Sequence, residues 1–296
     1  MHAYLLSGQA LRLSVMLGLH LLDESYDQGI MQPVRHAFPI LLPPPTSYDE
    51  LEERRRTFWM VHICAQMTSV QTLWPACALT PREIYTCRPS NDEGFGQIRP
   101  KDFVPPASAG TGWFSRLIEV AALIARARDF LVEFQHGRSH TCDTLEALEQ
   151  DLHNYQSTVQ MDDLFAIRDD KRFDRSKVVY LLLSYVPTLF LHLPRSHHEN
   201  PSCPHWLRCL EVSQKAMPVI QLCALAPDIT GLNSLTCFPI YLIAVVWLQE
   251  WRLRGDALGL LQNSVNYCMT VLHKLSERWA SAGTLRFSLL IRTLLD

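Results

Sequence analysis

Apolar residues along this chain recur at steps of three and four and almost nowhere at two, a pattern that predicts helices throughout and no sheet. Residues 2 to 22, HAYLLSGQALRLSVMLGLHLL, are apolar around most of a helical circumference, and Ser7, Ala10, Ser14 and Gly18 share one stripe. Small side chains on one stripe let a second helix approach closely. Phe114, Leu117, Ile118, Ala121, Ala125, Leu131 and Val132 mark one face of a helix from about 113 to 135. Leu145, Leu148, Leu152, Tyr155 and Val159 step by 3, 4, 3 and 4, and further helical stretches lie near 174–193, 205–225, 237–254, 257–280 and 284–295. The expectation is an all-α array of about ten helices, one helical domain over residues 1–296 with no repeat of fixed length.

Two segments break the pattern. HAFPILLPPPTS, residues 36–47, is stiffened by proline and cannot continue a helix. After Val70 the chain runs through LWPACALTPREIYTCRPSNDEGFGQIRPKDFVPP, a long proline-rich loop with at most a helical turn near Pro81 to Ile84.

Between them lies SYDELEERRRTFWMVHI, residues 47–63, which sets four acids ahead of three arginines. Ser47 and Glu50 form a capping-box pattern, and the acids sit where the helix dipole favours them. Glu50 with Arg54 and Glu52 with Arg56 are i,i+4 pairs in the favourable order. Arg55 falls on the arc of Leu51, Phe58, Trp59 and His62, so it points into packing and needs an acidic or carbonyl-bearing acceptor there.

Composition narrows the function. Lys plus Arg number 27 against 30 Asp plus Glu, a net charge of -3, so the chain lacks the positive surplus behind non-specific nucleic-acid binding. Nine scattered cysteines, an odd number with no signal peptide ahead of them, read as reduced thiols buried as small apolar residues. The longest apolar run, Val178 to Leu193, is shorter than the roughly 20 residues of a membrane span and contains Pro187, which favours a buried helix.

Candidate chemistry is sparse. Asp169, Asp170 and Asp174 in DDKRFD resemble the magnesium-holding carboxylates of all-α terpene cyclases, but Arg168, Lys171, Arg172 and Arg175 partner them and no second metal motif follows. His192, His197, His198, Cys203, His205 and Cys209 are zinc-ligand types without the tight spacing of a structural site. No nucleophile elbow or phosphate cradle is present, so no catalytic residue and no metal is assigned.

RLSVMLGLHLL followed by ELEERRRTFWMVHICAQMTS resembles the middle homology region of fungal zinc-cluster transcription factors. The matching positions are Leu17 and Gly18 through His20, Glu53, Arg54, Arg55 and Arg56, then Phe58 and Trp59, with ALTPREIYTCRPSNDEGF similar to the family's following loop. The resemblance implies a non-catalytic, nuclear, helical regulatory domain of a transcription regulator, responding to a small-molecule inducer or a co-regulator protein, with no membrane role. It also implies truncation at the N-terminus: the family's zinc cluster would lie before residue 1, so zinc and direct DNA contact belong to that absent module and no cofactor is expected here.

Overall fold

The computed structural model describes residues 2–23, 41–74, 79–90, 112–137, 142–158, 174–197, 199–227, 229–255 and 259–295. Among them are ten α-helical segments and no strand: α1 (His2–Met16), α2 (Tyr48–Thr72), α3 (Trp113–Gln135), α4 (Cys142–Thr158), α5 (Arg175–Ser184), α6 (Val186–His192), α7 (Pro204–Leu225), α8 (Cys237–Arg254), α9 (Leu260–Ser276) and α10 (Ala280–Leu295). The all-α class expected from periodicity is therefore the class observed. The chain divides into two compact units, Met1–Ala121 and Ala122–Asp296.

In the first unit α1 packs along α2. Ser14 and Gly18 of the small-residue stripe are buried, and Ser7 Oγ lies 2.8 Å from Thr68 Oγ1 on α2. The first helix stops at Met16, short of the expected Leu22, because Gly18 turns into the left-handed region at φ 74°. A 3-10 turn, Leu19–Leu21, follows and delivers Asp23 to the interior. The Gly18 backbone is easy for glycine and costs other residues about 1–2 kcal/mol. Gly18→Val is expected to lower stability by at least that much in a urea titration, whereas an exposed valine substitution on α1 at Arg12 stays within about 1 kcal/mol.

The second unit is built around apolar helices that bury most of their circumference. Val186, Leu189 and Leu191 on α6 are fully buried, as are Ile240, Ile243, Ala244 and Val246 on α8, which packs against α7, α9 and α10. The stretch expected as one helix over 174–193 is two, broken at Tyr185, because Pro187 near the start of α6 has no N–H to continue the ladder. Two helical stretches, Arg175–Arg195 and Ser234–Arg254, are long and apolar enough to cross a membrane, so length does not separate them from spans. Their burial inside the unit, 83% and 67% of the apolar windows, is what a core helix shows.

Lys274 closes the end of α7 by donating to the Ala224 and Ala226 carbonyls at 2.7 and 3.2 Å, a basic side chain on the negative end of the helix. Cys209, Cys223, Cys237 and Cys268 are free and buried in this unit. Burial pushes their thiols up to between about 11 and about 12.

Candidate functional site

Among the described residues of the first unit, a buried polar assembly is centred on Arg55, 1% exposed. Its Nε donates to Asp23 Oδ2 at 3.0 Å and its Nη2 to Asp23 Oδ1, a two-pronged pair, while Nη1 donates to Glu52 Oε1 at 2.7 Å. Both carboxylates are themselves buried and further engaged. The Cys87 N–H donates to Asp23 Oδ2 at 2.8 Å, and the N–H and hydroxyl of Ser90 donate to Glu52 Oε2 at 2.8 and 3.0 Å. Burial alone would disfavour the charge on Arg55, but the hydrogen bonds and field of Asp23, then of Glu52, outweigh it and hold the guanidinium charged more firmly than in water.

The neighbouring motif residues tie the same segment down. Trp59 Nε1 donates to the Cys87 carbonyl at 2.9 Å and Arg56 Nη2 to the Ser90 carbonyl at 2.9 Å. The His20 carbonyl accepts from Tyr85 N at 2.8 Å, and Thr86 Oγ1 donates to the Leu19 carbonyl at 2.6 Å. Two sequence-distant pieces thus converge on α2: the turn after Gly18 and residues 85–90. The turn at Pro81–Glu83, preceded by Thr80 as a capping box, aims that last segment.

Arg54 pairs with Glu50 and donates from Nη1 to the Pro43 carbonyl at 2.7 Å. Half of the expected capping box is present: Ser47 Oγ accepts from Glu50 N, but the Glu50 carboxylate accepts from Thr46 N and Oγ1 in place of Ser47. Those bonds, led by the Thr46 N–H, pull Glu50 down to about 2. The expected Glu52–Arg56 pair is not formed; Glu52 turns inward to Arg55 and Ser90, and Arg56 goes to the Ser90 carbonyl. Phe58 is fully buried beneath this assembly and stacks on His62 with ring centroids 5.8 Å apart. Burial pushes His62 down to about 4, so it is neutral near pH 7. Glu53 is exposed, and Leu17 is half-buried.

On the flank of α2 lies a cleft of about 440 Å³ lined by Glu53, Arg56, Thr57, Met60, Val61, Trp113 and Phe114. Its size and its mainly apolar lining with a few polar groups suit a small organic molecule. Arg56 belongs both to this lining and to the hydrogen bond on Ser90.

Among the described residues the metal candidates do not assemble. Asp174 is spent as the cap of α5, accepting from Ser176 N and Lys177 N at 3.1 and 3.2 Å, while Asp169 and Asp170 lie outside the described residues. Of the histidine and cysteine collection, His192 and His205 meet, Cys203 Sγ accepts from His197 N, and Cys209 is buried on α7; His198 lies outside the described residues. Among the described residues no three ligand-type side chains are placed to hold one metal ion.

Asp23 and Ser90 are the residues that sequence reasoning missed. Asp23 carries a faint signal, an acid closing the apolar run LHLL, and Glu52 lies within a helical turn of the arc assigned to Arg55. No family model matches the chain, and no curated protein or solved structure does.

Proposed function

We propose that the chain is a helical regulatory region of a transcription regulator of the fungal zinc-cluster kind, acting in the nucleus without catalysis through a bound effector or co-regulator protein. The observation that carries this reading is the convergence of the segments bearing the resemblance: the turn of Leu17 to His20, the Glu53–Trp59 helix and the loop that follows it meet around Arg55. Residues that look like a family signature are those that hold the first unit together. The arginines are occupied within the protein, Arg54 by Glu50 and Pro43, Arg55 by Asp23 and Glu52, Arg56 by Ser90, which argues against their serving as a nucleic-acid patch.

The cleft beside Arg56 supplies the effector site of this reading. A molecule seated on Met60, Val61, Trp113 and Phe114 sits one side chain away from the Ser90 carbonyl, so its arrival competes for or reinforces the Arg56 bond. That gives ligand binding a route to residues 85–90 and the Arg55 assembly.

Fusion of the chain to an unrelated DNA-binding module in a fungal reporter strain tests the reading. Reporter output is expected to change at least several-fold relative to the module alone, and Met60→Glu, which fills the apolar cleft with a charge, is expected to abolish any effector response while the fusion still accumulates. Reporter output equal to the bare module under all conditions, or magnesium-dependent turnover of a prenyl diphosphate by the purified chain, would defeat it.

A further inference from the structure

The corner between α6 and α7 holds two imidazoles that this regulatory reading does not use. His192 is the last residue of α6 and His205 the second of α7, and their Nδ1 atoms lie 3.0 Å apart. Their ring centroids are 5.2 Å apart. Rings meeting head-on at that nitrogen distance would hold their centroids about 5.3 Å apart. The geometry is that of an N–H···N hydrogen bond.

One Nδ1 must then carry the hydrogen and the other the lone pair. Glu149 Oε1 on α4 lies 3.7 Å from His192 Nε2, beyond hydrogen-bond distance, and its negative charge there favours a hydrogen on that nitrogen, with His192 Nδ1 as acceptor. His205 Nδ1–H is the donor, and the remaining lone pair sits on His205 Nε2.

We infer that this pair is a proton-operated latch on the α6–α7 corner, closed while the two rings share no more than one added proton and opened by the second. The first proton goes to His205 Nε2, and the bond persists as a charge-assisted one. The second can go only to His192 Nδ1, the acceptor itself. It removes the bond and leaves two cations facing each other across 3.0 Å.

The surroundings set where this happens. Arg195, in the turn after α6, stacks over Phe130 with its guanidinium carbon 4.9 Å from the ring centroid; His197 lies in the loop, and Arg208, paired with Glu211, lies on α7. These cations oppose added charge, and Glu149 on α4 favours it. Burial, then the fields of His205, Arg195 and Arg208, pushes His192 down to about 4, and burial with Arg195 lowers His205. With folded values below the unfolded one near 6.5, the stabilisation is complete above that pH and is lost as the pH falls toward 4.

Nitrogen-15 NMR of the full chain labelled at histidine is the direct test. A coupling between two imidazole nitrogens across the hydrogen bond is expected at pH 7, persisting through the first titration step and vanishing with the second. His205→Gln keeps a donor but cannot accept the first proton. Between pH 6.5 and 4.5 its folding equilibrium is expected to depend on pH less steeply than wild type by up to tenfold per unit, with His62 titrating alike in both. Absence of the coupling at pH 7, an unchanged slope in the variant, or a cobalt(II) complex whose absorption is lost in His205→Gln would overturn the latch; the last would make the pair a metal site. Should the variant fail to fold, the wild-type coupling decides alone.

Discussion

Replacing Arg55 by leucine is expected to destabilise the first unit by about 3–5 kcal/mol, because it leaves Asp23 and Glu52 buried beside each other with their cation gone. That is about a fifth or more of the stability of an ordinary domain. Urea unfolding followed by far-ultraviolet dichroism measures it. Arg55→Lys is expected to recover only part of the loss, since one ammonium cannot make the two-pronged contact with Asp23 and reach Glu52 as well. The informative control is the triple replacement of Arg55, Asp23 and Glu52 by apolar residues, which removes the charges together and is expected to cost far less than Arg55→Leu alone. A loss below about 1 kcal/mol for Arg55→Leu would mean that the two carboxylates find water or protons without disturbing the unit, and the assembly would then be a passenger of the fold.

The second large effect is expected in the other unit. Trp206 is fully buried on α7, and its Nε1 donates to Glu250 Oε2 at 2.9 Å on α8. Trp206→Ala removes the largest buried side chain of the unit and one donor to a buried carboxylate, an expected loss of about 3–5 kcal/mol. Trp206→Phe separates the contributions: it keeps most of the apolar volume, so its cost is expected near 1–3 kcal/mol, mainly from the unsatisfied oxygen. Arg254 still pairs with Glu250 Oε1 at 2.8 Å, which limits that figure. Equal losses for the two variants, read from thermal melts, would place the whole effect in the hydrogen bond and none in the packing.

The sequence was most legible where a local rule acts alone. The arc of Leu51, Phe58 and His62 placed the Arg55 side chain inside, since helical phase depends on nothing beyond the helix. The bounds of α3 follow equally from periodicity. The partners of Arg55 were less legible. Asp23 is 32 residues away, and its arrival depends on the left-handed turn at Gly18 and on how α1 lies along α2. The i,i+4 spacing pairs Glu52 with Arg56 by a good local rule, but Arg55 and the buried N–H and hydroxyl of Ser90, 38 residues on, draw the Glu52 carboxylate inward as its donors instead. The break at Tyr185 was written in Pro187, but a long apolar run on both sides masked it. The pairing of His192 with His205 left no trace, since it depends on the turn geometry between α6 and α7.

The burial of four thiols in the second unit makes them internal reporters of its breathing. Cys209, Cys223, Cys237 and Cys268 are at most 1% exposed, and their raised pKa values leave almost no thiolate at neutral pH. A maleimide dye can therefore couple to them only in moments when α7, α8 or α9 swings away, so the labelling rate at each position clocks how often that helix departs. The molecule carries its own stopwatch, with no residue added.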